Sequence, residues 1–135
     1  MKSKTVFDTN IWITYFLKGK FKELVELVFD HDVELFRSIE LTRELISVIS
    51  RPKFKKYLEL PVREYISFYE DLSRLVAIEH IFKGCRDPND NYLFDLAYQS
   101  KSRFLVSGDR DVRETHITKP LEVLSLTAFK EVIYH

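Results

Sequence analysis

Apolar residues follow two different spacings along this chain. Short runs rich in β-branched and aromatic residues fall around 4–7, 33–37, 75–79, 103–107 and 121–125. Between them apolar positions recur at helical spacing: Phe21, Leu24, Val25, Val28 and Phe29, then Leu41, Leu45, Val48 and Ile49, then Leu93, Phe94, Ala97 and Tyr98. An amphipathic stretch, Val62 to Leu72, follows Pro61, and Thr127 to Tyr134 predicts a short last helix. Strands alternating with helices predict an α/β fold built from βαβ units, with a parallel sheet covered on both faces. Right-handed crossovers then set every strand C-terminus along one edge. Three glycines and four prolines leave no room for a flexible linker, so residues 1–135 read as one domain.

Four acids stand where an apolar run gives way to a loop or helix. Asp8 closes Thr5-Val6-Phe7, Glu44 lies in the helical stretch after Glu34-Leu35-Phe36, Asp90 ends Asp87-Pro88-Asn89-Asp90, and Asp109 follows Phe104 to Gly108. Ligands of open parallel sheets bind outside the carboxyl ends of the strands. Carboxylates gathered there repel one another unless a cation lies between them. This pattern predicts a site for a hard divalent metal.

Each acid also has a plainer reading. Asp8 is a favoured helix cap, although Thr9 or Asn10 would cap equally well. Glu44 alone would pass for a solvated helical glutamate, yet its spacing from Leu41 and Val48 sets it on the flank of the buried stripe. Asp87 reads as a cap with Pro88 at the first helical position. Asp90 lies three, four and seven residues before Leu93, Phe94 and Ala97, so it shares their buried face, where an unpaired carboxylate is costly. Asp95 falls off that stripe and reads as solvated. Asp109 is the better ligand candidate in Ser107-Gly108-Asp109-Arg110-Asp111, with Asp111 in reserve.

Charge adds little, because 21 basic and 21 acidic residues cancel and give no prior for nucleic acid. A balanced total still permits a basic face beside an acidic cleft. Arg51-Pro52-Lys53-Phe54-Lys55-Lys56-Tyr57 is the leading candidate for contact with a nucleic acid, with aromatics interleaved for base stacking. Its plainer reading is a solvated loop or helix end. Arg110 and Arg113 are further candidates for phosphate contact. Cys85 is the only cysteine, which excludes an intrachain disulfide and fits a reducing, cytoplasmic setting. The first residues lack the apolar stretch of a signal peptide, and no run approaches membrane-spanning length.

The chain resembles a PIN domain, in the branch of toxin components similar to the VapC ribonucleases. The matching pieces are Val6-Phe7-Asp8-Thr9-Asn10, Thr42-Arg43-Glu44-Leu45 with Ser50 to Phe54, Arg86 to Asn91, and Phe104 to Asp111. They occur in the family's order over nearly the whole chain. The resemblance implies an α/β/α sandwich whose acidic pocket binds Mg²⁺ or Mn²⁺ and cleaves RNA phosphodiesters. It carries the family's acids onto Asp8, Glu44, Asp90 and Asp109, with Ser107 and Asn10 in support. It further implies a homodimer held inactive by an antitoxin peptide.

The chemistry of the residues agrees. Oxygen-only ligands suit Mg²⁺ or Mn²⁺, and the four histidines do not cluster at zinc spacing. In this reading Asp8 and Asp90 bind the metal that activates water, while Asp109 and Glu44 bind a second ion or orient ligands through water. The products that the resemblance implies for such a mechanism are a 3′-hydroxyl and a 5′-phosphate. A phosphoacceptor signalling domain would need a lysine after its last strand, and Leu121 to Leu126 has none. A phosphatase with Asp8 as nucleophile would want a second acid where Asn10 stands. The remaining alternative is a catalytically silent PIN fold that binds RNA or protein.

Overall fold

Each apolar run but one forms a strand where its pattern sets it. The computed structural model describes residues 1–135. Its strands are β1 (Ser3–Phe7), β2 (Val33–Arg37), β3 (Ser73–Leu75), β4 (Phe104–Val106) and β5 (Glu122–Leu124). They form one sheet in the order β3-β2-β1-β4-β5, and every pairing is parallel. Val6 of β1 stands opposite Phe36 on one side and Leu105 on the other. Such strands are covered on both faces and so carry apolar residues at successive positions: Val6, Phe7, Leu105 and Val106 have no exposed surface.

The helices are α1 (Thr9–Leu17), α2 (Phe21–Phe29), α3 (Ile39–Ile49), α4 (Pro52–Lys55), α5 (Val62–Leu72), α6 (Asn91–Gln99), α7 (Arg110–Arg113) and α8 (Leu126–Tyr134). They flank the sheet as an α/β/α sandwich. Helix α1 is apolar almost all round because it is enclosed: the Trp12 ring meets Phe7 of β1 at 5.7 Å and Tyr69 of α5 at 4.9 Å, both edge-on. The more amphipathic α3 buries Leu41, Leu45 and Ile49 and leaves Ile39, Arg43 and Ile46 outside. The order of addition reverses at β1, with β2 and β3 on one side and β4 and β5 on the other. A crevice opens at such a switch point, outside the strand C-termini.

The third strand departs from the apolar run at 75–79. Strand β3 is an edge strand of three residues, and its ladder stops where the Val76 amide donates to the Arg37 carbonyl. The Arg37 guanidinium crosses over and donates to the Glu70 and Ser73 carbonyls, which fixes the entry into β3. Beyond it, Val76 and Ile78 pack on the core without joining the sheet.

Asp95 also differs from the sequence reading, since it is buried and not solvated. Its Oδ1 accepts from the backbone amides of Ile81 (3.1 Å) and Phe82 (2.8 Å), while Gln99 clasps Glu79 through both its amide nitrogen and its oxygen. Phe82 stacks on Phe94 at 4.6 Å. The segment after β3 therefore covers the face of α6 that an isolated amphipathic helix would give to water, and Asp95 supplies acceptors its backbone needs.

Candidate active site

Asp8 is the pivot of the crevice. Its amide donates to the Val106 carbonyl at 2.9 Å, which ties the end of β1 to the end of β4. The carboxylate splits its work. Oδ1 caps α1 by accepting from the Thr9 amide at 2.7 Å, so Asp8 itself, and neither Thr9 nor Asn10, is the cap. Oδ2 accepts from the Ser107 hydroxyl at 2.7 Å and from the Asn10 side-chain amide at 3.2 Å. Capping and site membership thus coexist in one side chain.

Ser107 and Asn10 also shape the loop after β4. The Ser107 hydroxyl accepts from the Asp109 amide at 3.0 Å, and Asn10 Oδ1 accepts from the Gly108 amide at 2.9 Å. A Cβ at position 108 would stand 3.2 Å from that Asn10 oxygen, so the close approach favours glycine. Arg113 donates to the Ser107 carbonyl at 3.0 Å, which braces the loop. Asp109 then caps α7, accepting from the Asp111 amide at 2.9 Å.

Asp8, Glu44, Asp90 and Asp109 line one open cleft of about 340 Å³, together with Asn10. Asp111 is not among the lining residues; it turns outward and pairs with Arg86 at 3.6 Å. Asp87 caps a single 3₁₀ turn, Pro88–Asp90, by accepting from the Asn89 amide, and Asp90 stands at the start of α6 proper. Tyr92, the second residue of α6, donates its hydroxyl to Glu44 Oε2. Apolar periodicity carries no trace of that contact, because it joins residues 48 apart in sequence.

None of the four lining carboxylates takes part in any of the seven ion pairs of the protein. Burial pushes Asp8 up to about 6, against the lowering effect of the Ser107 and Thr9 hydrogen bonds, with Glu44 and Asp109 adding repulsion. Asp90 is pushed up to about 7, first by burial and then by Asp8, Asp87, Asp109 and Glu44. Like-charge crowding contributes, but desolvation leads. Tyr92 is likewise raised, by burial and by the Glu44 carboxylate it serves. No three His, Cys, Asp or Glu side chains are gathered tightly enough to grip an ion as they stand. The donor set still fits a hard cation: four carboxylates, uncompensated, two of them holding protons well above the usual carboxylate range.

The basic candidates lie on the rim. Pro52 starts α4, and Phe54 of that helix lines the cleft while Arg51, Lys53, Lys55 and Lys56 are exposed and free of acidic partners. Lys53 Nζ lies 4.8 Å from the centre of the Phe54 ring. Arg110 is taken up by Glu114 at 2.7 Å.

The profile of the PIN domain family matches residues 4–111, four-fifths of the chain. The chain belongs to the PIN domain family. The matched stretch of this PIN domain holds all four cleft acids and ends before β5 and α8. A protein of Methanocaldococcus jannaschii, itself uncharacterized, is 28% identical over 116 residues, covering 83% of this chain and 74% of its own length. PIN domains are as a rule nucleases, and membership points this one to nucleic acid. No helix of the PIN domain is long and apolar enough to cross a membrane.

Proposed function

We propose that this PIN domain is an endoribonuclease that depends on Mg²⁺ or Mn²⁺ and hydrolyses RNA phosphodiester bonds. The observation that carries the reading is the group of four carboxylates without a cationic partner in one cleft at the switch point of the sheet. Asp8, Asp90 and Asp109 would hold a divalent ion, and Glu44 would orient a ligand through water or help hold a second ion. Such an ion, when bound, lowers the pKa of water and neutralises charge on the scissile phosphate.

The chain's own groups do the positioning. Ser107 and Asn10 fix Asp8 Oδ2, and Tyr92 steadies Glu44 Oε2. Arg51, Lys53, Lys55 and Lys56 attract the backbone of the substrate from the rim. Arg110 would join them on leaving Glu114. In-line attack of water then yields a 3′-hydroxyl and a 5′-phosphate.

The resemblance of the motifs to VapC-like proteins supports a toxin role within a toxin–antitoxin pair, acting as a homodimer in the cytoplasm. A catalytically silent module that binds RNA or protein is the second reading, favoured by the lack of a closed three-ligand group. The test is incubation with a panel of RNAs in Mn²⁺, in Mg²⁺ and in chelator. Cleavage restricted to the metal arms, with the stated ends, supports the enzyme; binding of RNA without cleavage in any arm supports the silent module. Growth arrest on expression, relieved by a neighbouring antitoxin, would support the toxin role.

A further inference from the structure

The cleft has two ends of opposite character. Beyond the carboxylates it continues along Ile13 and Leu17 of α1, Val48 of α3 and Phe54 of α4. Ile13 is buried, while Leu17, Val48 and Phe54 keep part of their surface open. Metal-assisted hydrolysis needs no apolar wall, so this half of the cavity calls for its own account.

The wall has little with which to read a polar edge. Thr14, between Ile13 and Leu17 on α1, donates its hydroxyl to the Asn10 carbonyl at 2.8 Å, so its proton is committed. What remains is dispersion and the face of an aromatic ring. That ring comes with a cation: Lys53 lies 4.8 Å from the Phe54 centroid, and Lys56 lies 5.1 Å from that of Tyr57. Aromatic surface alternating with unpaired lysines is how sequence-tolerant grooves hold single strands, the bases stacking and the phosphates paired. The whole cleft, about 340 Å³ with the carboxylate end included, has room for one nucleotide-sized group.

We infer that Phe54, with Val48 and Leu17, forms a base-stacking subsite that receives the unpaired nucleobase of a nucleotide flanking the scissile phosphate. The inference rests on the proposed nuclease reading and gives that site its specificity. Two consequences follow from the chemistry of the wall. The flanking base must be free of its partner strand, because a paired base cannot leave its stack without cost. Its identity matters little, because Leu17, Val48 and Phe54 meet its face with apolar surface, and every base has such a face.

The test uses one oligoribonucleotide with a single cleaved bond, made in three forms: intact, abasic at a nucleotide flanking that bond, and carrying a fluorescent adenine analogue there. With wild-type protein in Mn²⁺ the abasic strand should show a KM raised roughly 5- to 150-fold, the span of base–aromatic stacking, with kcat little changed. Phe54→Ala should bring the intact strand to the KM of the abasic one without further harm to the abasic strand, and Phe54→Trp should restore the difference. Binding should quench the fluorescent base in wild type and not in Phe54→Ala, a reading that needs no cleavage. Quenching of this pattern without cleavage would retain the subsite and remove the nuclease. Metal-dependent cleavage with equal KM for intact and abasic strands would overturn the subsite and leave the nuclease standing.

Discussion

The Ser107 hydroxyl donates to Asp8 Oδ2 at 2.7 Å, joining residues 99 apart in sequence at the point where the strand order reverses. The bond stabilises the ionised form of an acid that burial drives toward protonation. Ser107→Ala should raise Asp8 above its value of about 6, and carboxyl NMR titration reads this directly. At pH 8, where Asp8 is ionised, the variant should lose about 1.5–3 kcal/mol of stability, since hydrogen bonds to charged groups are worth this much. Ser107→Thr should keep the wild-type titration; an unchanged Asp8 in the alanine variant would count against the bond.

Asp8 and Asp90 hold their protons to about 6 and 7, against 3.8 for a free carboxyl. The folded state therefore binds more protons than the unfolded chain between about pH 4 and 7, and unfolding releases them. Metal-free protein should lose stability as pH rises through that window and level off above it. Divalent ions should reverse the trend, their affinity growing as pH passes 6 and 7 because they compete with protons. Thermal melts with and without Mn²⁺ check this, and Asp90→Asn should flatten the pH slope and shrink the Mn²⁺ shift. An identical Mn²⁺ shift in the variant would argue against Asp90 as a ligand.

Tyr92 donates to Glu44 from a buried position. Tyr92→Phe keeps the ring and removes the donor, so a loss of about 1.5–3 kcal/mol in urea unfolding is expected, with an unchanged m-value. If Glu44 acts only when held, the same change should lower kcat with little effect on KM. Equal stability and equal kcat would show the hydroxyl to be idle.

Asp95 carries the segment that covers α6, through the Ile81 and Phe82 amides. Asp95→Ala strands two backbone donors and should cost about 2–4 kcal/mol. Asp95→Asn retains an acceptor and should cost visibly less. Hydrogen exchange at Ile81 and Phe82 reads the effect locally, and unaltered protection in the alanine variant would contradict it.

How far the chain disclosed this arrangement varies from element to element. Helix α5 spans Val62 to Leu72 as its periodicity sets out, and β2 spans Val33 to Arg37, because both patterns are strong and their neighbours conventional. Asp8 and Asp109 were legible because they close apolar runs, whereas Glu44 inside α3 and Asp90 before α6 were placed by their spacing from the buried stripes of those helices. The segment 76–82 was not, since Val76 and Ile78 are apolar for packing and not for pairing, and the Asp95 contacts cross 13 and 14 positions. Helices of four residues, such as α4 and α7, are too short for any period to show. Sequence spacing alone does not separate Asp109 from Asp111, and in the fold Asp109 lines the cleft while Asp111 pairs with Arg86.

The central claim is that the cleft acids hold a catalytic metal. Asp8→Asn tests it most directly, because the amide keeps the size of the side chain and removes its charge. In a preparation free of contaminating nuclease, RNA cleavage in Mn²⁺ should fall below detection. RNA binding should persist or tighten, as one source of phosphate repulsion is gone. Full metal-dependent cleavage by Asp8→Asn would contradict the account.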